Sequence, residues 1–177
     1  DFLAFPAFSG SRPLYTKSPM SDYSLFVSCP RGLEPVLAVE LAAQHAADIT
    51  PGDGGIACRG SLETVYRINL HSRTASRVLL RVAHGAIRHE QDVYALAAKT
   101  AWPQWFAVQQ TFKIHIEGKR APVKSLDFTA LKVKDAVCDV FREHSGSRPN
   151  VGKFRPDVRI HAFLNDKTAS LFIDTSG

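Results

Sequence analysis

The sequence predicts a mixed fold of helices and strands (α+β / α/β) in two consecutive units, 24–87 and 88–177. Two observations indicate this class. Apolar residues switch repeatedly between a spacing of two, typical of half-buried strands, and a spacing of three to four, typical of amphipathic helices. The segments also follow the order strand, helix, strand, strand, helix, strand, and then start again with a helix.

The first unit has six predicted elements. We expect strands at 24–28, 49–51, 55–59 and 77–87, and helices at 32–47 and 61–69. Gly52-Asp53-Gly54 is a tight-turn signal that joins the second and third strands into a hairpin. Ser61 suits the cap of the second helix, and Pro35 lies in the first turn of the first helix, where a missing N–H costs nothing. The βαββαβ order is that of a ferredoxin-like subdomain.

The second unit has the predicted order α-β-α-β-β. Helices are expected at 89–100 and 128–144, a strand at 111–117, and a hairpin of strands at 158–164 and 169–174. The longest helix carries one apolar stripe that includes Val133, Val137 and Phe141. Three aromatic residues lie at the join of the units, and we favour burial between the units over exposure for base stacking: Trp102, Trp105 and Phe106.

Composition limits the class of protein. Of the 177 residues, 45% are hydrophobic and 22% are charged, as in globular proteins. No apolar run approaches the roughly 18 residues that a membrane helix needs. The three cysteines have no CxxC spacing, which argues against a zinc ribbon or disulfide framework and favours a reducing compartment. We interpret residues 1–23 as an N-terminal extension, non-native or disordered, with native translation starting at Met20.

No motif for bond-making chemistry is found in the sequence. The glycines of 52–55 lie between two strands, where they cannot place a phosphate on a helix N-terminus. No GxSxG or HExxH occurs, the histidines lack metal-ligand spacing, and Cys138 is expected to be a buried apolar residue. We therefore expect no catalytic, cofactor or metal site in this chain.

Positive charge is concentrated in the second unit. Residues 113–134 contain six Lys or Arg against two acids, and residues 142–159 contain five against two. The two windows carry a net +7, more than the +5 of the whole chain, and such excess favours a polyanionic partner. We expect phosphate contacts from one converging surface, with His115 and Ser125 as lesser candidates beside the main set of Lys124, Lys132, Lys134, Arg148, Lys153 and Arg155.

Several spaced motifs resemble one known family. They are ALKVKDAV at 130–137, RPNV at 148–151, PDVRI at 156–160 and TASLFIDTSG at 168–177. These look like the THUMP region of bacterial 23S rRNA guanine-N2 methyltransferases, which are class I enzymes dependent on S-adenosylmethionine. Upstream, CPRGLE at 29–34, GGI at 54–56 and SLETVY at 61–66 are similar to the ferredoxin-like part of the same proteins.

The resemblance implies a function for the chain. In that family the THUMP module binds RNA, and a Rossmann-like domain downstream uses S-adenosylmethionine to methylate a guanine amine in 23S rRNA. The family's cofactor loop and catalytic motif are not among residues 1–177, so we expect an RNA-docking module whose catalytic domain follows Gly177 in cis. The expected partner is 23S rRNA or its precursor, the expected location is the cytoplasm, and no membrane partner is expected.

Two other functions remain open. THUMP modules also precede thiolation and deamination domains, which would keep RNA binding but change the reaction. A ferredoxin-like unit has open sheet edges that can pair with other proteins, so a protein-interaction module is the rival of a different class. Charge spread over all faces would favour that rival.

Overall fold

The computed structural model describes residues 22–152 and 154–177; the predicted N-terminal extension lies almost entirely outside these residues. Four helices occur in the described chain, together with a single 3-10 turn at Trp102–Gln104, and they are α1 Glu34–Ala43, α2 Leu62–His71, α3 Glu90–Ala98 and α4 Leu126–Ser145. Seven strands are present there: β1 Tyr23–Ser28, β2 Ala47–Gly52, β3 Gly55–Gly60, β4 Arg77–Ala86, β5 Phe112–Gly118, β6 Val158–Leu164 and β7 Thr168–Asp174.

The predicted elements are confirmed in order and type, with one boundary that differs clearly. The first helix was expected to reach residue 47, but α1 ends at Ala43 and Ala47 already belongs to β2. His45 has a φ of 63°, a left-handed conformation that helices do not continue through. The sequence gives no sign of this helix end, because the alanines at 42, 43, 46 and 47 all favour a helix.

The strands form one sheet rather than two. Their order is β2-β3-β1-β4-β7-β6-β5. The first four strands have the antiparallel ferredoxin-like arrangement, and β4 continues it by pairing antiparallel with β7, where Leu80 faces Ile173. At the far edge β5 is parallel to β6, with Lys113 opposite Arg159 and His115 opposite His161. The second unit is thus an extension of the first unit's sheet.

All four helices cover the same face of this sheet. The first hydrophobic core contains Val78 and Leu80 of β4 beneath α1 and α2, and the second contains Ala169 and Leu171 of β7 beneath α3 and α4. Because Leu80 and Ile173 are register partners and paired residues point the same way, both cores lie on one side. The opposite side carries no helix of the described chain.

Of the three aromatic residues predicted to be buried between the units, Trp105 alone packs against both cores. Trp102 and Phe106 lie within the second core, at 0% and 5% exposure. Trp105 is half-buried and packs against both cores, and its ring meets Tyr23 edge-on at 6.1 Å between centroids. Trp105 is therefore the residue that fills the junction.

No helix of the described residues is long and apolar enough to cross a bilayer.

Candidate nucleic-acid interface

A polar groove of about 390 Å³ lies between α3 and α4. α3 contributes Gln91 and Tyr94, and Arg148 reaches it from the segment that follows α4. We call it the helix groove; its α4 lining consists of Lys132, Asp135, Cys138, Asp139 and Arg142. Two of the predicted phosphate contacts, Lys132 and Arg148, are thus brought together although they are far apart in the sequence.

The acidic side of the helix groove is internally paired. Asp139 accepts a hydrogen bond from the Tyr94 hydroxyl at 2.9 Å and one from Arg142 at 3.0 Å. The hydrogen bond to Asp139, followed by partial burial and nearby carboxylates, raises the pKa of Tyr94. Arg142 is therefore largely neutralised by its own helix and is a poor phosphate ligand.

Lys132 and Arg148 are the available cations of the helix groove. Neither forms an ion pair within the residues that the structure describes. The Lys132 ammonium lies 5.4 Å from the centre of the Phe128 ring, a contact that leaves its N–H donors free for an anion. Arg148 is exposed and can present its planar fork to phosphate oxygens.

Three further predicted residues lie on α4 or just before its start and already have local contacts. Ser125 caps α4, its hydroxyl accepting from the backbone N–H of Phe128 at 3.2 Å. The backbone N–H of Lys124 donates to Glu90 at 2.6 Å, and this bond lowers the pKa of Glu90, while the Lys124 side chain is exposed. Lys134 is paired with Asp135 at 2.8 Å. Of the two lysines, Lys124 is the one whose side chain forms no ion pair among the described residues.

Two predicted phosphate contacts lie shortly before β6. Lys153 lies outside the described residues, so Arg155 is the one whose position is known. The Arg155 guanidinium lies 5.4 Å from the centre of the Phe154 ring, and Phe154 is 83% exposed. An exposed aromatic ring beside a cation is a surface on which a base can stack.

His115 lies on the other side of the sheet from the helix groove. Ile114 and Ile116 pack against the second core, so alternation places His115 on the helix-free face. There its Nε2 lies 3.0 Å from Glu117. The predicted site residues therefore do not all lie on one surface, because His115 is on the helix-free face.

The helix-free face holds a second cavity, of about 460 Å³, which the sequence did not predict as a site. We call it the concave cavity. Its lining comes from β1, the β2–β3 turn, β4, β5 and β6, and consists of Phe26, Ser28, Asp53, Gly54, Arg77, Leu79, Lys113, His115, Glu117, Arg159, His161 and Phe163. A usable signal was present, since polar and aromatic residues alternate with apolar ones in FKIHIE and VRIHAF.

A buried acid, Asp174, contacts two residues that line the concave cavity, Arg77 and His161. The Asp174 side chain is 1% exposed and accepts hydrogen bonds from Arg77 at 2.7 Å and from the Ser176 hydroxyl at 2.5 Å. Burial raises the pKa of Asp174, but the contacts with His161, Ser176 and Arg77 outweigh it and hold the pKa well below its usual range. His161 Nε2 lies 3.7 Å from Asp174 and has no hydrogen-bond partner among the described residues.

Neither surface resembles a metal or nucleophile site. No cluster of three or more His, Cys, Asp or Glu suited to a metal ion occurs among residues 22–152 and 154–177. The three cysteines are free and buried, and burial raises the pKa of Cys58 to about 11 and also raises that of Cys138. Their thiols stay protonated at neutral pH, which suits a packing role.

Comparison with family models assigns both halves of the chain. Residues 24–79 match the RlmL ferredoxin-like domain, and residues 88–174 match the THUMP domain. The ribosomal RNA large subunit methyltransferase K/L of Saccharophagus degradans is 39% identical over 165 residues, which is 93% of this chain and 22% of that protein. The chain thus spans about a fifth of the length of the curated relatives it matches.

Solved structures share the fold. A predicted N6-adenine-specific DNA methylase from Listeria monocytogenes superposes with a TM-score of 0.77 at 21% identity, covering 89% of this chain and 41% of that one. SMU.472, a putative methyltransferase complexed with SAH, superposes with a TM-score of 0.77 at 20% identity, covering 88% and 42%. At this identity the likeness shows a shared fold alone.

Proposed function

The chain belongs to the K/L family of large-subunit ribosomal RNA methyltransferases, whose ferredoxin-like and THUMP domains it carries, and from this we propose that it docks structured rRNA for a methyltransferase domain of the same protein. The RNA is 23S rRNA or its precursor, and the reaction served is transfer of a methyl group to a guanine N2. S-adenosylmethionine is bound by the catalytic domain and not by this chain. The protein acts in the cytoplasm.

One observation carries the docking role: Lys132 and Arg148 converge on the helix groove without carboxylate partners in the described chain. Two free cations on one groove can contact successive phosphates of a backbone. Structured RNA suits such a surface, because the deep major groove of an A-form helix excludes side chains and leaves phosphates and shape as the features to read. Lys124, Lys153 and Arg155 extend the proposed phosphate contacts beyond the groove, and Lys134 and Ser125 remain minor candidates.

The protein-interaction alternative is favoured by the presence of cations on both sides of the sheet, such as Lys132 and Lys113, but it has lost its main structural basis. It depends on open sheet edges in the ferredoxin-like unit, and β4 is covered by β7 along its length. Of that unit's edges, β2 alone remains open in the described sheet. We keep residues 24–87 and 88–177 as the proposed division of the chain, with a shared sheet across the boundary.

The test compares two double charge reversals by fluorescence anisotropy with a labelled rRNA hairpin. Lys132→Glu with Arg148→Glu should weaken binding at least tenfold, since two phosphate contacts become repulsive. The matched control is Arg31→Glu with Arg73→Glu, which makes the same change of net charge at two exposed residues of the ferredoxin-like unit. Equal weakening by both variants would show that only net charge matters, and no weakening by the first would remove the helix groove from the function.

Salt dependence gives an independent measure of the phosphate contacts. If about four phosphates are neutralised, a slope near −0.7 per contact predicts roughly a 50-fold loss of affinity between 50 and 200 mM salt. The Lys132→Glu, Arg148→Glu variant should flatten this slope by about the share of two contacts. A wild-type affinity that does not change with salt would contradict phosphate docking.

A further inference from the structure

We propose that the concave cavity on the helix-free face binds an unpaired nucleotide of the docked RNA, with its base stacked on the aromatic rings and its phosphate held between Lys113 and Arg159. This proposal deepens the docking function and depends on it. It assigns RNA contacts to a face that the helix groove does not reach. The duplex and the single-stranded part of one RNA would thus be held by different surfaces.

The helix-free face of the sheet is curved around a cavity rather than flat. Strands β1 and β6 are three positions apart, so a flat sheet at about 4.8 Å per strand would hold them roughly 14 Å apart. The rings of Phe26 and Phe163 lean toward each other across this distance, and their centroids lie 6.2 Å apart. Asp53, from the β2–β3 turn, and Glu117, on the opposite edge strand, line the same cavity. Because this lining extends from one end of the sheet to the other, the helix-free face is concave.

Aromatic rings form a continuous layer across this surface. His115 lies 5.0 Å from His161, and His161 stacks against Phe163 at 6.4 Å with an interplanar angle of 16°. Phe163 in turn contacts Phe26 and Phe172. His115 is 56% exposed while His161 is buried, so the layer presents one free ring at its edge on a fixed support. Sheets that bind single-stranded RNA use aromatic rings on an open face in this way.

Two cations stand where the phosphate of a stacked nucleotide would lie. Lys113 and Arg159 are register partners on the parallel strands β5 and β6, so their side chains lie side by side on the concave face. Neither has an ion-pair partner among the described residues, whereas Arg77 is held by Asp174. Asp53 on the opposite rim, and Glu117 on the same strand as Lys113, offer carboxylate oxygens to the exocyclic amine of a base.

A volume of about 460 Å³ fits one nucleotide-sized ligand and lies in the range of ordinary small-ligand pockets. The mixture of stacking surface, paired cations and hydrogen-bond acceptors matches base plus phosphate better than either a metal ion or an apolar helix. A long apolar peptide segment would leave Lys113 and Arg159 desolvated without a partner.

The test uses the 177-residue chain and two RNA hairpins of the same stem, one blunt and one with a four-nucleotide 3′ overhang that contains 2-aminopurine. Binding of the overhang hairpin should quench 2-aminopurine fluorescence, because the base stacks on a ring. His115→Ala should weaken overhang binding about 5-fold or more, the lower end for loss of one stacked base. His84→Ala is the control, since His84 is exposed on the same sheet face but outside the cavity.

The charge variants separate this proposal from the docking function. Lys113→Glu with Arg159→Glu should weaken the overhang hairpin alone, whereas Lys132→Glu with Arg148→Glu should weaken both hairpins. Equal wild-type affinity for the two hairpins, or an overhang that is insensitive to His115→Ala and to the Lys113, Arg159 variant, would overturn the nucleotide site and leave docking intact. Failure of wild type to bind either hairpin would overturn docking and the nucleotide site together. Free adenosine monophosphate as a competitor distinguishes a site for any nucleotide from one that requires the RNA chain.

Discussion

At the scale of single residues, Asp174 is a buried acid whose loss should destabilise the fold. It is buried and accepts hydrogen bonds from Arg77 and Ser176, so Asp174→Asn would leave Arg77 without its charged partner. We expect the free energy of unfolding to fall by about 1–3 kcal/mol, the usual penalty for leaving such a group unsatisfied. Denaturant unfolding at pH 7 measures this, and Asp166→Asn, on the exposed β6–β7 turn, is the neutral control.

The same carboxylate sets a pH dependence with a defined sign. Its folded-state pKa is lowered, so ionised Asp174 stabilises the fold above pH about 4, where an unfolded aspartate is also ionised. The stabilisation is lost as the pH falls below 4 toward the folded pKa. Wild type should therefore lose stability more steeply than Asp174→Asn in acid, and parallel pH profiles would contradict this assignment.

Gly55 leaves room for the ring of Phe26, which lines the concave cavity. A Cβ at this position would lie 2.6 Å from the Phe26 ring and 2.7 Å from the carbonyl oxygen of Val27, which cannot move independently of β1. Gly55→Ala should destabilise the chain by about 1–3 kcal/mol, as overpacking does. Gly52→Ala in the same hairpin meets its nearest atom at 3.6 Å and should be nearly neutral. Equal melting temperatures for the two variants would show that the hairpin shifts freely.

At the scale of elements, the start of α4 combines a structural role with a proposed RNA role, and Ser125 separates the two. Ser125→Ala removes the cap and should cost about 1 kcal/mol of stability. Ser125→Asp keeps a capping oxygen and adds a negative charge, so it should retain stability but weaken RNA binding if phosphate lies there. Unfolding and anisotropy measurements on both variants give the answer. Unchanged RNA affinity in Ser125→Asp would remove this helix end from the interface.

Elements were the part of the fold that the sequence predicted well, and the reasons are local. The α2 cap at Ser61, the α4 stripe and the β6–β7 hairpin each depend on neighbours within a few residues, and all three are present. The early end of α1 was missed because alanine tolerates both helix and turn. Pairing of β4 with β7 was not predicted because its register joins residues more than 90 positions apart, such as Leu80 and Ile173, and no short pattern encodes that distance.

The candidate site shows the same limit. Basic residues on α4 and the following segment were predicted from charge density, and the structure brings Lys132 and Arg148 into one groove. The concave face could not be predicted, because alternation shows that Lys113 and His115 share a side of β5 but not that every helix covers the other side. That fact depends on how two units join, which is a property of the whole sheet.

At the scale of the whole molecule, the shared sheet predicts one cooperative unfolding transition. Two hydrophobic cores lie on one side of a continuous sheet, and Trp105 packs against both. Tryptophan fluorescence, which reports Trp105 at the junction and Trp102 in the second core, and far-UV circular dichroism, which reports all elements, should therefore give coincident denaturant curves. Two separated transitions would show that the units fold independently. Trp105→Ala should lower the midpoint, and Gln104→Ala, beside it and exposed, should not.

The position of β7 has a consequence for how the protein is made. This strand is seventh in sequence but fifth in the sheet, between β4 and β6. A nascent chain emerges from the ribosome N-terminus first, so the four ferredoxin-like strands can assemble while β5 and β6 still lack the strand that joins them to the rest. Until residues 168–174 are released, the flank of β4 is an unprotected edge at which another chain could insert. That edge is closed when β7, which follows the other six strands in the sequence, pairs with β4.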